Sequence, residues 1–233
     1  MHGNGAMNRR AILGAALALP LVPTSSRAQG VTGEVDLSRY PVGPVPPEFL
    51  TTWRTGPGAL GDWRVVEDAT ASRGKAIAQV GEDPTDDRYP LAVYQPFAAR
   101  DVEASVRFKA ISGRVDQAAG LAVRLQDSDN YYIARANALE DNVRLYRVVK
   151  GDRKQLAGAS LKVSSGEWHT LTLRAEGDRL SVSYDGRPLF THTDRTFTGL
   201  GKVALWTKAD SVTHFDRIRI TPLRVAAQSR PPA

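Results

Sequence analysis

Apolar residues in this chain recur at every second position and never hold helical spacing for three turns. That one feature excludes most folds, because side chains alternate faces in a strand and repeat every 3.6 residues in a helix. "DVEASVRFKA" sets Val102, Ala104, Val106 and Phe108 against Asp101, Glu103, Ser105 and Arg107. "GLAVRLQ" sets Leu121, Val123 and Leu125 inside and Arg124 outside. "HTLTLRA" buries Leu171 and Leu173, "KVALWTK" buries Val203 and Leu205, and "FDRIRITPL" closes with Ile218 and Ile220. "RLSVSYDGRPLFTH" carries Asp185-Gly186 between two β-type runs, a strong hairpin signal. About twelve short strands, with turns every 8–12 residues or so, predict an all-β sandwich or barrel.

The two ends read differently. "MNRRAILGAALALPLVPTSSRAQG" has a basic pair, an apolar stretch and small residues up to Ala28. Residues 1–28 are therefore expected to be a signal peptide, with Met7 as an alternative start. The apolar stretch falls short of the ~20 residues a membrane-spanning helix needs. Arg9-Arg10 suits either general secretion or twin-arginine export, and both lead to the periplasm or beyond. Removing Arg9, Arg10 and Arg27 leaves 28 basic residues against 25 acidic, so the mature charge is +3. That is too mild for a nucleic-acid binder. The mature part has neither cysteine nor methionine, which excludes thiol catalysis and cysteine-ligated metals. Residues 29–48, with "YPVGPVPPEF", read as a proline-rich linker, 49–223 as the folded domain and 224–233 as a loose tail.

"NYYIARANALEDNVRLYRV", residues 130–148, is a hairpin turning near Ala138 to Asp141. An unpaired charge is costly inside an apolar core, so Arg135 faces out. Tyr132, Ala134 and Ala136 then face in, and Tyr131, Ile133 and Asn137 join Arg135. On the return strand Arg144 and Tyr146 face out. The same parity turns Arg124, Trp206 and Lys208 outward. Arg124, Arg135, Asn137, Arg144, Tyr146, Trp206 and Lys208 thus form one candidate ligand surface. Guanidinium forks suit carboxylates, sulfates and vicinal hydroxyls, and aromatic rings stack on sugars. The competing reading is a set of cross-strand pairs that only stabilise the sheet.

The motifs "NYY…RANALE.N", "SGEWHTL", "YDG..LF" and "GKVALWTKADS" occur in an order that resembles the laminin-G/concanavalin A-like sandwiches. In particular, the chain from about Trp63 to Leu223 is similar to exported bacterial 3-keto-disaccharide hydrolase-like domains. The resemblance implies two antiparallel sheets in a jelly roll, with a saccharide on the concave face of one. It leaves open a binding module, a glycoside hydrolase acting on (3-keto-)disaccharides, and a structural or protein-interaction domain without a small ligand.

Catalytic signals are sparse. The Glu-x-Asp-x-x-Glu string of such glycosidases is absent. Asp101 and Glu103 lie two residues apart on one strand, about 6–7 Å, near the range of an inverting acid/base pair. Asp210, beside Trp206, Lys208 and Ser211, is the other candidate. No cofactor is expected, although "QDSDN" could offer Asp127 and Asp129 to Ca²⁺; a plain Asx turn is the alternative. Glu140, Asp141 and Asn142 read as turn formers. The expected partner is a carbohydrate or polyol, with no nucleic acid and no transmembrane segment.

Overall fold

The computed structural model describes residues 33–46 and 50–223. Among them are sixteen β-strands, numbered β1 to β16 along the chain, one 3₁₀ turn at Leu37–Arg39 and no α-helix. They form two antiparallel sheets, as the alternation predicts. The nine-stranded sheet runs β14 (Arg187–Thr193), β13 (Arg179–Tyr184), β12 (His169–Glu176), β7 (Val102–Ser112), β16 (Val212–Pro222), β5 (Lys75–Gln79), β4 (Trp63–Glu67), β2 (Gly43–Pro44), with β1 (Gly33–Glu34) also on β16. The seven-stranded sheet runs β11 (Asp152–Ser160), β10 (Asn142–Val149), β9 (Asn130–Asn137), β8 (Ala118–Asp127), β15 (Gly201–Trp206), β6 (Tyr89–Ala99), β3 (Leu50–Thr55).

The main core lies between the sheets. Val102, Ala104, Val106 and Phe108 of β7 meet Tyr132, Ala134, Ala136, Val143 and Leu145 of β9 and β10 in one buried cluster. Burying each Leu or Val side chain contributes about 1.5–3 kcal/mol. The β13–β14 hairpin closes at Asp185 (φ 46°) and Gly186 (φ 75°). Two positive φ values in a two-residue loop are the type I′ geometry that matches strand twist.

Part of the expected linker belongs to the fold. β1 pairs with β16 and β2 with β4, and Leu37 is only 3% exposed within the core. Pro44 fits because β2 is an edge strand and needs no donor on its free side. The signal-peptide and tail segments, 1–28 and 224–233, lie outside the described residues.

The seven-stranded sheet curls on itself. Arg153 of edge strand β11 places its guanidinium 4.7 Å from the ring of Tyr89 on β6, the sixth strand along. Thr55, on the opposite edge strand, donates its hydroxyl to the carbonyl of Ser128 and lies 2.8 Å from Tyr131 Oη. Accumulated strand twist brings these corners together. The outer face of this sheet is therefore concave, and it encloses a second buried cluster that includes Tyr89, Leu91, Tyr131, Ile133, Tyr146, Val148 and Trp206.

A bulge corrects one parity assignment. The β8–β9 register shifts between Val123 and Asp127, and Arg124 has φ 50°. One irregularity of this kind reverses the alternation beyond it. Leu125 accordingly joins the outer cluster instead of the inner one.

Candidate functional site: a charged trough over buried aromatics

The register lines up Leu91, Trp206, Gly120, Arg135 and Arg144 across β6, β15, β8, β9 and β10. Gly120 is what lets this row close. A Cβ there would lie 2.6 Å from Ile133 Cδ1 and 3.1 Å from Trp206 Cε3. Trp206 fills the space, stacks on Tyr89 with centroids 5.4 Å apart and interplanar angle 17°, and donates its indole N–H to Tyr131 Oη at 3.3 Å. Burial pushes the Tyr131 phenol up to about 12.

Beside this floor stands a polar network. Arg135 donates through Nη1 to Glu140 Oε1 at 3.1 Å, and through Nη2 to Glu140 Oε2 at 2.9 Å and Asn142 Oδ1 at 2.7 Å. Asn137 donates to Asp116 Oδ1 at 2.6 Å and to Glu140 Oε1 at 3.0 Å. Lys208 bridges buried Asp116, at 3.0 Å, to exposed Asp86. The Arg135 hydrogen bond holds the Glu140 carboxyl at about 2, outweighing the cost of its partial burial. Asp116 goes the other way: desolvation raises it despite Lys208. Arg135 is nearly sealed, whereas the Glu140 side chain is 46% exposed, so the network presents its acid to solvent.

Tyr146 links this network to a second cation. Its ring lies 5.7 Å from the Arg135 guanidinium and 4.6 Å from that of Arg153. Arg153 spans Tyr89, Tyr146 and, at 6.0 Å, Trp206. A cleft of about 370 Å³ opens beside it, lined by Gly56, Asp87, Tyr89, Gly151, Asp152 and Arg153. Tyr89 donates its hydroxyl to Asp87 at 2.8 Å, and Asp87 adjoins the Asp86 that holds Lys208. The strip from Glu140 past Tyr146 to the cleft at Arg153 is thus a trough that sets carboxylates, guanidiniums and phenol rings side by side, with donors and acceptors together.

The structure brings Arg135, Asn137, Arg144, Tyr146, Trp206 and Lys208 to this side of the sheet, with two qualifications and one exception, Arg124. Trp206 is fully buried, so it supports the trough from below and offers no stacking platform. Arg144 sits beside Arg135 in the ladder and donates to Gln155 at 3.2 Å. Arg124 leaves the surface altogether. Its bulge sends the buried guanidinium to Asp101 at 3.1 Å and to the carbonyls of Arg100, Phe197 and Gly177 at 2.8, 2.8 and 2.6 Å.

The catalytic candidates have structural duties. Asp101 takes the Arg124 ion pair and the N–H of Gly177. Glu103 pairs across the strands with Arg174 at 3.2 Å. Asp210 accepts the N–H groups of Arg114, Val115 and Asp116 at 2.8–3.0 Å. Those backbone donors lower its pKa against the opposing effect of burial, which keeps it ionised. In "QDSDN" Asp127 accepts from the Asp129 N–H and from Asn130 Nδ2, both at 2.8 Å, as an Asx turn does.

Glu140 and Asn142 were legible only as turn formers, yet they complete the network. Their signal was the ladder: Asn142 pairs with Asn137 on the face that holds Arg135. Asp86, Asp87, Asp116 and Arg153 gave no local signal, since the curl of the sheet brings them in.

Comparison with known proteins bears on the fold. Residues 70–205 match the family model of the β-xylosidase C-terminal concanavalin A-like domain. Carbohydrate binding module CBM66 from Bacillus subtilis superposes with a TM-score of 0.59 at 19% identity, over 74% of this chain and 96% of its own. A Bacteroides ovatus mixed-linkage glucan GH16 protein gives 0.55 at 10% identity, over 76% and 96%. Bacillus licheniformis β-glucanase gives 0.50 at 12%, over 75% and 92%. A search of curated proteins returned no match. The model spans more than half of the chain, and the two-sheet architecture agrees with it: the chain belongs to the β-xylosidase C-terminal concanavalin A-like domain family.

Proposed function

We propose that this domain binds a neutral saccharide in the trough between Glu140 and Arg153, and that it does so outside the cytoplasm. The observation that carries this reading is the Arg135–Glu140–Asn142 network, which shows the half-exposed Glu140 carboxylate to solvent beside the buried Tyr146. A sugar hydroxyl both donates and accepts. Glu140 offers an exposed acceptor, Arg153 and Lys208 offer donors, and Tyr89, which lines the cleft beside Arg153, offers apolar contact. Glu140 and Lys208 are held by ion pairs, and Arg153 by its stacking on Tyr89 and Tyr146, before the ligand arrives, so little side-chain entropy is lost on binding. Binding is favoured over cleavage because Asp101, Glu103 and Asp210 are each committed to structural partners.

The family name and the glucan-related neighbours suggest the first ligands to try, xylo-oligosaccharides and mixed-linkage β-glucan oligosaccharides. Calorimetric titration of the wild type and of Glu140→Gln would test the proposal. Loss of a charge-assisted hydrogen bond predicts about 10- to 150-fold weaker binding in the variant. Equal affinity in the two proteins for every saccharide bound would refute the assignment of this trough.

A further inference from the structure

A second site lies on the opposite side of the molecule, on the outer face of the nine-stranded sheet. Ser105, Arg107, Thr170, Arg217 and Arg219 line a small depression of about 90 Å³. A bulge in β16 builds it. The β16–β7 register shifts between Asp216 and Arg219, so Asp216 opposes Arg107 and Arg219 opposes Ser105, with Arg217 and Ile218 between them. Ile218 stays in the core, while Arg217 turns outward with φ 46°. Three guanidiniums on two adjacent strands then face one hollow.

The lining side chains carry donors and no carboxylate. Arg107 spends one nitrogen on Asp216 at 3.2 Å, and Arg219 pairs with Glu34 at 3.0 Å. Asp216 is also held by the Ser72 N–H at 2.6 Å, and the nearby Asp185 is taken by the Thr170 N–H at 2.6 Å. Arg217 is exposed and has no acidic partner among the described residues. Ser105 accepts from Thr172 at 3.0 Å, which leaves its own O–H to donate. Asp216 and Glu34 each pair with one of the three guanidiniums, which leaves Arg217 without an acidic partner, together with hydroxyl donors, in a hollow sized for one small group.

We infer that this depression is a binding site for a tetrahedral oxyanion, a sulfate or phosphate group. Guanidinium forks match such oxygens geometrically as well as electrostatically. The site is separate from the saccharide trough, and its occupancy does not depend on that reading. The group could be a free ion or an ester on a glycan, and the experiment distinguishes them.

The test titrates the full mature chain with inorganic sulfate, inorganic phosphate, and a sulfated oligosaccharide beside its unsulfated parent, followed by NMR or calorimetry. Saturable binding by the oxyanions is expected. Tighter binding of the sulfated oligosaccharide than of free sulfate identifies the ester as the source; equal binding identifies the free ion. The decisive variant is Arg217→Gly. Glycine holds a positive φ without strain, so the melting temperature should stay level or rise by about 2–4 °C. Oxyanion affinity should fall about tenfold or more in the same protein. Absence of saturable binding by the wild type, or unchanged affinity in Arg217→Gly, overturns the inference.

Discussion

The outer faces of the two sheets share an alphabet of arginine, acid and hydroxyl, and they use it differently. On the nine-stranded sheet, Arg174 pairs with Glu103 and Glu176 while its side chain stays 38% exposed. On the seven-stranded sheet, Arg135 makes a comparable pair at 2% exposure, next to a tryptophan with no exposed surface. The difference comes from curvature. An open face leaves its pairs in water, where each is worth little. A curled face excludes water, gains a second apolar cluster and makes every polar group on it depend on its partner.

Substitutions on the two faces should therefore diverge. The largest effect belongs to Trp206→Ala, which empties the centre of the curl. Loss of a fully buried Trp costs about 3–5 kcal/mol, so the melting temperature should fall by about 6–20 °C. A fall of only a degree or two, measured by calorimetry, would show that the curl collapses freely or is not packed.

An intermediate effect concerns pH. The Glu140 carboxyl is held at about 2 by Arg135, against 4.5 unperturbed. A depressed carboxylate contributes stability above its unfolded pKa and loses it as pH falls through the folded value. The urea midpoints of wild type and Glu140→Gln should thus differ by a constant amount from pH 8 to 5. That gap should close between pH 4.5 and about 2. A gap that closes above pH 5 would mean that Arg135 does not hold this carboxylate.

The smallest effect is expected on the open face. Arg174→Ala should cost less than about 1 kcal/mol, and 0.5 M salt should erase most of that. A larger loss would remove the contrast between the faces.

The same contrast explains what could be read from the sequence. Parity correctly placed Tyr132, Ala134 and Ala136 inside and Arg135 and Asn137 outside, because burial of one face fixes the register. It failed at Arg124 and Leu125, where a bulge changes the count. It could not show that "outside" on this sheet means buried, because curl is a property of the assembled strands. For that reason Trp206 looked like a platform and is a floor, and Arg153, sixty-four positions after Tyr89, gave no sign that it would cover Tyr89 and Tyr146. The proline-rich segment hid β1 and β2 because two-residue edge strands carry no periodicity.

The most direct test of the proposed saccharide trough is an NMR titration of residues 29–233 with a bound oligosaccharide, read residue by residue. The account predicts saturable shifts in the backbone amides of Leu139 to Asn142 and in the Arg153 side chain. The outer face of the nine-stranded sheet, including Arg174, should stay unchanged. Shifts confined to that face, with the 139–142 turn and Arg153 silent at saturation, would contradict it.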